Sequence, residues 1–154
     1  MNRKGKVYII GGGPGDPGLI TLRGVRCMAV ADLVVYDYLV SEELLDYAPR
    51  KARLVYAGKQ SGKHTLSQDE INELLVDEAL KGHVVARLKG GDPFIFGRGG
   101  EEALALARAG VSFEVVPGIS SAVAVPCYAG IPLTQREYTS TVAFITGHED
   151  PTKS

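Results

Sequence analysis

Residues Val7–Gly18 read VYIIGGGPGDPG, a short apolar run that ends in a loop of glycines and prolines. Further short apolar runs occur at Leu33–Tyr36, Arg53–Tyr56, Val84–Leu88, Phe113–Val116 and Val142–Ile145. Longer segments with helical spacing separate them, near Leu19–Ala31, Ser41–Ala48, Ser67–Lys81, Gly99–Ala109 and Ile119–Tyr128. These runs are short and nearly all apolar, as is typical of strands in a sheet covered on both faces. The alternating order therefore predicts an α/β fold, a parallel sheet with helices on both faces.

Composition and charge exclude several classes of protein. The 154 residues are 45% hydrophobic and 23% charged, with a net charge of −1, so no basic field favours a nucleic-acid partner. No run approaches the roughly 18 apolar residues of a membrane span, and the run at Val7–Ile10 is too short for a signal peptide. Cys27 and Cys127 stand in apolar stretches and are expected to be buried thiols. The expected location is the cytoplasm.

The loop after the first apolar run is a candidate ligand-binding loop. Gly13, Gly15 and Gly18 satisfy G-x-G-x-x-G, the dinucleotide fingerprint. Pro14 and Pro17, however, each remove a backbone N–H that a pyrophosphate would need. The loop thus favours a ligand without phosphates, such as an adenosyl amino acid. A dinucleotide-binding oxidoreductase and a simple tight turn are the alternatives.

Two charged residues follow predicted strands, where ligand sites of α/β sheets gather. Asp37 comes after Leu33–Tyr36, and Lys59 comes shortly after Arg53–Tyr56. Asp37 is a candidate ribose ligand, a candidate catalytic carboxylate or a surface aspartate. Lys59 is a surface charge, a partner for anionic substrate groups or an acid.

The strongest local signal is the run Gly90–Glu102, which reads GGDPFIFGRGGEE between a predicted strand and a predicted helix. Its glycines permit close contact with a ligand, and its phenylalanines can pack against a ligand ring. Asp92 is placed to accept hydrogen bonds from that ligand. A second turn of this kind contains Ser120 and Ser121, which either cap a helix or contact the ligand.

No metal site is expected. The histidines, His64, His83 and His148, share no ligand spacing with one another or with a cysteine.

Several motifs together carry a family resemblance that runs from Val7 to His148. They are Gly13–Asp16 with Thr21-Leu22, Val35–Asp37 through Val40, Gly58-Lys59 with His64 and Gln68, Gly90–Glu102, Pro117–Ser121 and Gly130–Thr134. On these motifs the chain resembles the tetrapyrrole methylases, in particular the branch that methylates uroporphyrinogen III. One departure is Gln135, which stands where relatives often carry histidine.

The resemblance implies a chemistry and a set of site residues. Its cofactor would be S-adenosyl-L-methionine, which leaves as S-adenosyl-L-homocysteine, and its substrate would be the anionic tetrapyrrole uroporphyrinogen III. Two pyrrole carbons would be methylated to give precorrin-2 for sirohaem or cobalamin synthesis. Asp37 would be the proton acceptor and Lys59 the proton donor. The cofactor contacts carried over by motif are Pro14, Gly90, Gly91, Asp92, Ile95, Ser120 and Ser121.

The resemblance also implies a two-domain enzyme that forms a homodimer at full length. We expect an N-terminal α/β domain over residues 1–117, a helix and linker over 118–139, and the start of a truncated second domain over 140–154. The alternative is that the chain by itself is an inactive cofactor-binding fragment.

Overall fold

The computed structural model describes residues 5–58 and 66–147. Its described residues form a parallel sheet of five strands in the order β3-β2-β4-β1-β5. The strands are β1 (Lys6–Gly11), β2 (Leu33–Tyr36), β3 (Arg53–Tyr56), β4 (Val84–Lys89) and β5 (Ser112–Val116). The predicted α/β fold with a parallel sheet is confirmed, and β4 lies between β2 and β1.

Helices cover both faces of the sheet. They are α1 (Leu22–Met28), α2 (Gln68–Leu80) and α3 (Gly99–Arg108), with 3-10 helices at Pro17–Leu19 and Glu42–Tyr47. A fourth helix, α4 (Ser121–Tyr128), follows in the chain and is described below with the second unit. On one face Leu75 of α2 and Leu106 of α3 belong to the same core cluster as Ile9. On the other face Met28 and Leu44 belong to the cluster that contains Ile10. Neighbouring residues of β1 thus point to opposite faces, as the strand period of two requires.

Helix α2 forms where the sequence predicts it. The Ser67 hydroxyl accepts the Glu70 N–H at 3.2 Å, and the Glu70 carboxylate accepts the Ser67 N–H at 2.7 Å, which is a complete capping box. Ile71, Leu75 and Ala79 are the buried apolar side of the helix. The cap sets the start of α2, and this apolar stripe sets its face toward the sheet.

Three predicted helices differ from the observed ones at their ends or in their type. Helix α1 begins at Leu22, not Leu19, because the Thr21 hydroxyl accepts the Gly24 N–H at 3.0 Å and caps the helix there. The segment predicted as a helix at Ser41–Ala48 is the six-residue 3-10 helix Glu42–Tyr47, where Ser41 makes no side-chain cap hydrogen bond that would favour an α-helix. Helix α4 begins at Ser121, after the turn at Pro117-Gly118.

The chain divides into two compact units, Met1–Ser120 and Ser121–Ser154. In the second unit α4 ends at a turn in which Gly130 has a φ of 71° and the Ile131 N–H donates to the Pro126 carbonyl at 2.8 Å. A short turn follows, closed by a hydrogen bond of 2.8 Å from the Thr139 N–H to the Gln135 carbonyl.

The strand predicted at Val142–Ile145 is wrong, since residues 141–147 have no regular structure. A strand requires a paired neighbour, and the described part of the chain pairs none with this segment. The expectation of two buried cysteines is also wrong for Cys127, which is exposed on α4. Cys27 is buried as expected, and burial raises the pKa of its thiol.

Candidate active site at the carboxyl edge of the sheet

The loops that follow β1 and β4 are joined by their backbones. The Gly12 N–H donates to the Lys89 carbonyl at 2.7 Å, which continues the pairing of the two strands. Gly13 and Gly91 then exchange two hydrogen bonds, of 3.2 and 2.7 Å. The two glycine loops therefore form one continuous backbone surface at the carboxyl edge of the sheet.

Neighbouring loops approach this surface so closely that side chains are excluded. A Cβ on Gly11 would lie 2.6 Å from the Cα of Gly118, in the loop after β5. A Cβ on Gly90 would lie 2.6 Å from the Cβ of Leu39, in the loop after β2. A Cβ atom does not approach another non-bonded carbon this closely, so a side chain at either position would force the backbone to shift. The edge presents bare backbone to any ligand that it binds.

The G-x-G-x-x-G motif does not lead into a helix in the way a dinucleotide site requires. Gly18 lies within the 3-10 helix Pro17–Leu19, and α1 begins four residues further on, at Leu22. The Gly18 N–H already donates to the Asp16 carboxylate at 2.8 Å. Since Pro14 and Pro17 have no N–H, few donors are left for a pyrophosphate, and the geometry disfavours the dinucleotide alternative.

Asp92 organises the loop after β4. Its Oδ1 accepts the Phe94 N–H at 2.8 Å, and its Oδ2 accepts the Gly118 N–H at 3.0 Å. The carboxylate that the sequence suggests as a ligand acceptor thus bridges the loops after β4 and β5. Ser120 is buried. It lies close to Gly91, because a Cβ added at Gly91 would be 3.9 Å from the Cα of Ser120.

The same loop holds two residues in the left-handed region of backbone conformation. Phe96 has a φ of 51° and Arg98 a φ of 56°. This conformation costs roughly 1–2 kcal/mol for a residue other than glycine. Strain of this kind persists where the surrounding structure imposes it, and it clusters at ligand sites. Phe94 and Phe96 both expose their rings, whereas Ile95 is half-buried between them.

Asp37 lies directly after β2 and is held by two cations. Its Oδ1 accepts a hydrogen bond of 2.7 Å from Nη2 of Arg87, and its Oδ2 lies 3.7 Å from Nζ of Lys89. The Arg87 and Lys89 side chains are 2% and 4% exposed, whereas that of Asp37 is 27% exposed. The carboxylate therefore contacts buried cations and is also partly exposed to solvent.

Sequence reasoning missed the buried partners of Asp37. Arg87 and Lys89 occupy alternate positions of β4, and all six residues of that strand are buried. Glu102 of α3 completes the group, since its Oε1 accepts hydrogen bonds of 2.9 Å from both Arg87 Nε and Lys89 Nζ. The available signal was the pair of cations in a strand that is otherwise apolar.

The structure brings most of the predicted site residues to one edge. Gly90, Gly91, Asp92 and Ser120 lie on contacting loops, Pro14 follows Gly13, and Ile95 donates its N–H to the Asp92 carbonyl at 3.3 Å. Ser121 belongs to the second unit. Lys59 lies outside the described residues, as do Lys63 and His64.

Residues 5–58 and 66–147 show neither a metal-binding cluster nor a membrane-spanning helix. Within them no three His, Cys, Asp or Glu side chains are grouped as a metal site would require. No helix there has both the length and the apolar character needed to cross a membrane.

Comparison with characterised proteins identifies relatives that share most of this chain. It is 58% identical to the S-adenosyl-L-methionine-dependent uroporphyrinogen III methyltransferase of Methanosarcina barkeri, over 97% of this chain and 58% of that protein. It is 62% identical to a siroheme synthase of Baumannia cicadellinicola, over 94% of this chain and 31% of that protein. The chain therefore spans less than two thirds of the length of these relatives.

Solved structures agree with the sequence comparison. The uroporphyrin-III C-methyltransferase of Thermus thermophilus, in a crystal structure with S-adenosylhomocysteine, is 49% identical with a TM-score of 0.71, over 85% of this chain and 54% of that one. A cobalt precorrin-4 methyltransferase is 36% identical with a TM-score of 0.76, over 88% and 55% of the two chains. The model of the tetrapyrrole (corrin/porphyrin) methylases matches residues 6–154. The chain belongs to this family, the tetrapyrrole methylases.

Proposed function

We propose that this chain carries the cofactor-side part of an S-adenosyl-L-methionine-dependent uroporphyrinogen-III C-methyltransferase, which methylates two pyrrole carbons to give precorrin-2. The observation that carries the proposal is the glycine-lined carboxyl edge, which is bare of side chains and poor in donors for a phosphate. The half-buried Asp37 lies beside this edge, because Leu39, two residues further along the chain, packs closely against Gly90. The names of relatives at 58% and 49% identity support the same activity.

The residues at this edge fit an adenosyl amino acid. Pro14, Gly90, Gly91, Asp92, Ile95 and Ser120 would hold it, and the family motif adds Ser121 as a further contact. Glycine backbone allows close approach, the apolar side chain of Ile95 suits an adenine ring, and the serines supply hydroxyls. When bound, S-adenosyl-L-methionine supplies an electrophilic sulfonium methyl, and S-adenosyl-L-homocysteine is left after transfer.

Asp37 would accept the proton that the methylated pyrrole carbon loses. Its carboxylate is partly exposed, and the hydrogen bond from Arg87 fixes its direction. Lys59, which the sequence places three residues after the end of β3, would be the proton donor. The edge needs little further chemistry, because a reduced pyrrole carbon is already electron-rich and the main requirement is alignment away from water.

The substrate carries many carboxylates, so basic side chains are its expected partners. Lys59, Lys63, His64, Arg98 and Arg136 are the candidates. The Arg98 guanidinium already makes hydrogen bonds of 2.8 and 2.7 Å with Glu101, and the Glu101 carboxylate raises the pKa of Arg98. Arg98 would therefore exchange or share this partner when the substrate binds.

The proposal includes the organisation of the whole protein. It places an N-terminal domain over 1–117, a helix and linker over 118–139, and the start of a second domain over 140–154. The enzyme would be a cytoplasmic homodimer at full length, without a nucleic-acid or membrane partner.

The test is methyl transfer from labelled S-adenosyl-L-methionine to uroporphyrinogen III, assayed with the full-length gene product. Asp37→Asn and Lys59→Ala should each lower turnover at least about tenfold, as the loss of a general acid or base does. Asp77→Asn and Lys51→Ala, exposed residues outside the site, are the matched controls and should keep the wild-type rate. Wild-type turnover in both test variants would remove the two proposed roles.

Two further measurements separate the alternatives. Calorimetry should detect binding of S-adenosyl-L-homocysteine and none of NADH, and the reverse result would favour an oxidoreductase. The same methyl-transfer assay on the 154-residue chain tests whether this chain is inactive by itself, and we expect little or no turnover.

A further inference from the structure

Four charged side chains form one connected group beneath the carboxyl edge. Asp37, Arg87, Lys89 and Glu102 carry two positive and two negative formal charges. Arg87, Lys89 and Glu102 are buried. The group is thus neutral as a whole and reaches solvent through Asp37, which is its only member that is not buried.

Arg87 lies in an apolar part of the sheet, where a buried charge is unfavourable. It lies in β4, which pairs with β2 on one side and β1 on the other, and its neighbours on the same sheet face include Val35 and Val85. Moving a guanidinium out of water has a large desolvation cost, and apolar residues of similar volume are often at least as stabilising at such positions. Stability alone therefore does not account for Arg87.

The geometry of Arg87 accounts for it better. One edge of its guanidinium faces Glu102, with Nε 2.9 Å from Oε1, and Nη2 faces Asp37, 2.7 Å from Oδ1. Nη1 lies 3.4 Å from the Val35 carbonyl, within β2 itself. A planar guanidinium held at three points cannot rotate, and so it fixes the direction of the carboxylate that it contacts.

Glu102 is the anchor of this arrangement. It lies in the first turn of α3, where the helix dipole favours a negative charge, and its side chain is fully buried. Its Oε1 accepts hydrogen bonds from both cations, whereas its Oε2 has no hydrogen-bond partner among the described residues. The same Oε1 also accepts a longer hydrogen bond, of 3.4 Å, from Nε2 of Gln68. The two shorter contacts of Glu102 are with Arg87 and Lys89, and through them it is connected to Asp37.

We propose that Arg87, anchored by Glu102, is a positioning residue that holds the Asp37 carboxylate in the orientation required for proton removal. This inference rests on the proposed role of Asp37. In this role neither Arg87 nor Glu102 would touch the substrate, because both side chains are buried.

The test is a double-mutant cycle in the full-length gene product. Arg87→Lys keeps the charge but cannot span Glu102 and Asp37 with a fixed plane. We expect kcat to fall about tenfold, while the Kd of S-adenosyl-L-homocysteine stays within about twofold. In an Asp37→Asn background the same change should alter the residual rate by less than about twofold, because its effect passes through Asp37.

Arg53→Lys is the matched control. Arg53 also pairs with a buried glutamate, Glu78, at 3.3 Å, but at the opposite edge of the sheet. It should keep the wild-type kcat in both backgrounds, with any effect confined to thermal stability.

Each result either supports the proposal or overturns it. Wild-type kcat for Arg87→Lys, or an equal loss in the presence and absence of the Asp37 carboxylate, overturns the positioning role and leaves the proposed function intact. Wild-type kcat for Asp37→Asn overturns the proposed catalytic role, and the positioning role with it. If Arg87→Lys does not fold, Glu102→Gln replaces it. We expect its kcat to fall at least about threefold, and we expect this loss to disappear in the Asp37→Asn background. A wild-type kcat for Glu102→Gln, or the same loss of kcat in both backgrounds, contradicts the proposal.

Discussion

Oδ2 of Asp92 accepts a hydrogen bond of 3.0 Å from the backbone N–H of Gly118, and this bond joins the loop after β4 to the loop after β5. The other oxygen, Oδ1, accepts the Phe94 N–H at 2.8 Å. Both oxygens of one carboxylate are therefore used to hold backbone. The shape of the candidate cofactor site depends on a side chain that the sequence presents as a ligand contact.

Asp92→Asn should weaken binding of S-adenosyl-L-homocysteine. One oxygen becomes an NH2 group, which cannot accept a hydrogen bond from an N–H, so either Phe94 or Gly118 loses its partner. The loss of a hydrogen bond to a charged group is about 1.5–3 kcal/mol, which corresponds to a rise in Kd of about 10- to 150-fold if binding requires the joined loops. Isothermal titration calorimetry measures the change.

Asp32→Asn is the control for this prediction. Its Oδ2 accepts the Val84 N–H at 2.9 Å, the same kind of bond at the opposite edge of the sheet. Asp32→Asn should lower thermal stability without changing the Kd. Equal affinity for Asp92→Asn and wild type would show that the bridge does not shape the site.

Gly118→Ala should disrupt the carboxyl edge. The added Cβ would clash with the Gly91 carbonyl oxygen and would lie 2.7 Å from the Cα of Gly11. Backbone of three loops would have to move apart, and overpacking of this kind typically costs about 1–3 kcal/mol. Urea denaturation should show this loss of stability, and the affinity for S-adenosyl-L-homocysteine should fall with it.

Gly100→Ala, in contrast to Gly118→Ala, should stabilise the protein. A Cβ at Gly100 meets no atom within 4 Å, and the residue lies inside α3. Replacing glycine by alanine within a helix should raise the unfolding free energy by about 0.5–1 kcal/mol. A destabilised Gly100→Ala protein would mean that the space beside α3 is occupied in solution.

Arg98→Asn should stabilise the protein although it removes an ion pair. Arg98 has a φ of 56° at the start of α3, a conformation that asparagine adopts more readily than arginine. Its pair with Glu101 is exposed on both sides, and exposed pairs contribute only about 0–1 kcal/mol. The relief of backbone strain and the better helix cap should outweigh the lost ion pair. Urea denaturation should therefore show a rise of about 0.5–1.5 kcal/mol in the free energy of unfolding.

Arg98→Ala separates the two effects. Alanine also loses the pair with Glu101 but keeps the strain, since it has a Cβ and no capping oxygen. It should be less stable than Arg98→Asn. Equal stability of the two variants would mean that the left-handed conformation at residue 98 has no cost.

The sheet was predictable because its signals are local. Leu33–Tyr36 and Arg53–Tyr56 coincide with β2 and β3 residue for residue, since each is a short, mostly apolar run between polar or turn-forming residues. Helix α2 was predictable from its cap and its stripe. The strand predicted at Val142–Ile145 shows the limit of this reasoning, because a β-branched run becomes a strand only where another strand can pair with it.

The candidate site was only partly predictable, for a related reason. The glycine loops are visible as composition, but the partners that give them shape are distant in sequence. Arg87 and Asp37 are 50 residues apart, and Asp92 and Gly118 are 26 apart. Sequence spacing cannot show which strand lies beside which, and so it could not show that Asp37 faces two buried cations.

The stability of the fold should depend on pH through Glu78. This buried carboxylate accepts hydrogen bonds of 2.9 Å from both Lys81 and His83, and Arg53 lies 3.3 Å away. The hydrogen bond from Lys81, aided by His83 and Arg53, lowers the pKa of Glu78 below its ordinary value of 4.5, although burial acts in the opposite direction. A carboxylate with a lowered folded-state pKa stabilises the fold fully above its unfolded pKa.

That contribution should be lost as the pH falls below about 4.5 and through the folded-state pKa of Glu78, because the unfolded chain binds the proton first. Glu78→Gln should therefore be less stable than wild type at pH 7, and the difference should shrink steadily as the medium is acidified. Urea denaturation at a series of pH values measures it. Glu73→Gln, on an exposed position of the same helix, is the control for the loss of one carboxylate. If the difference between Glu78→Gln and wild type stayed constant from neutral to acid pH, the hydrogen bonds to Lys81 and His83 would not be the source of the stabilisation.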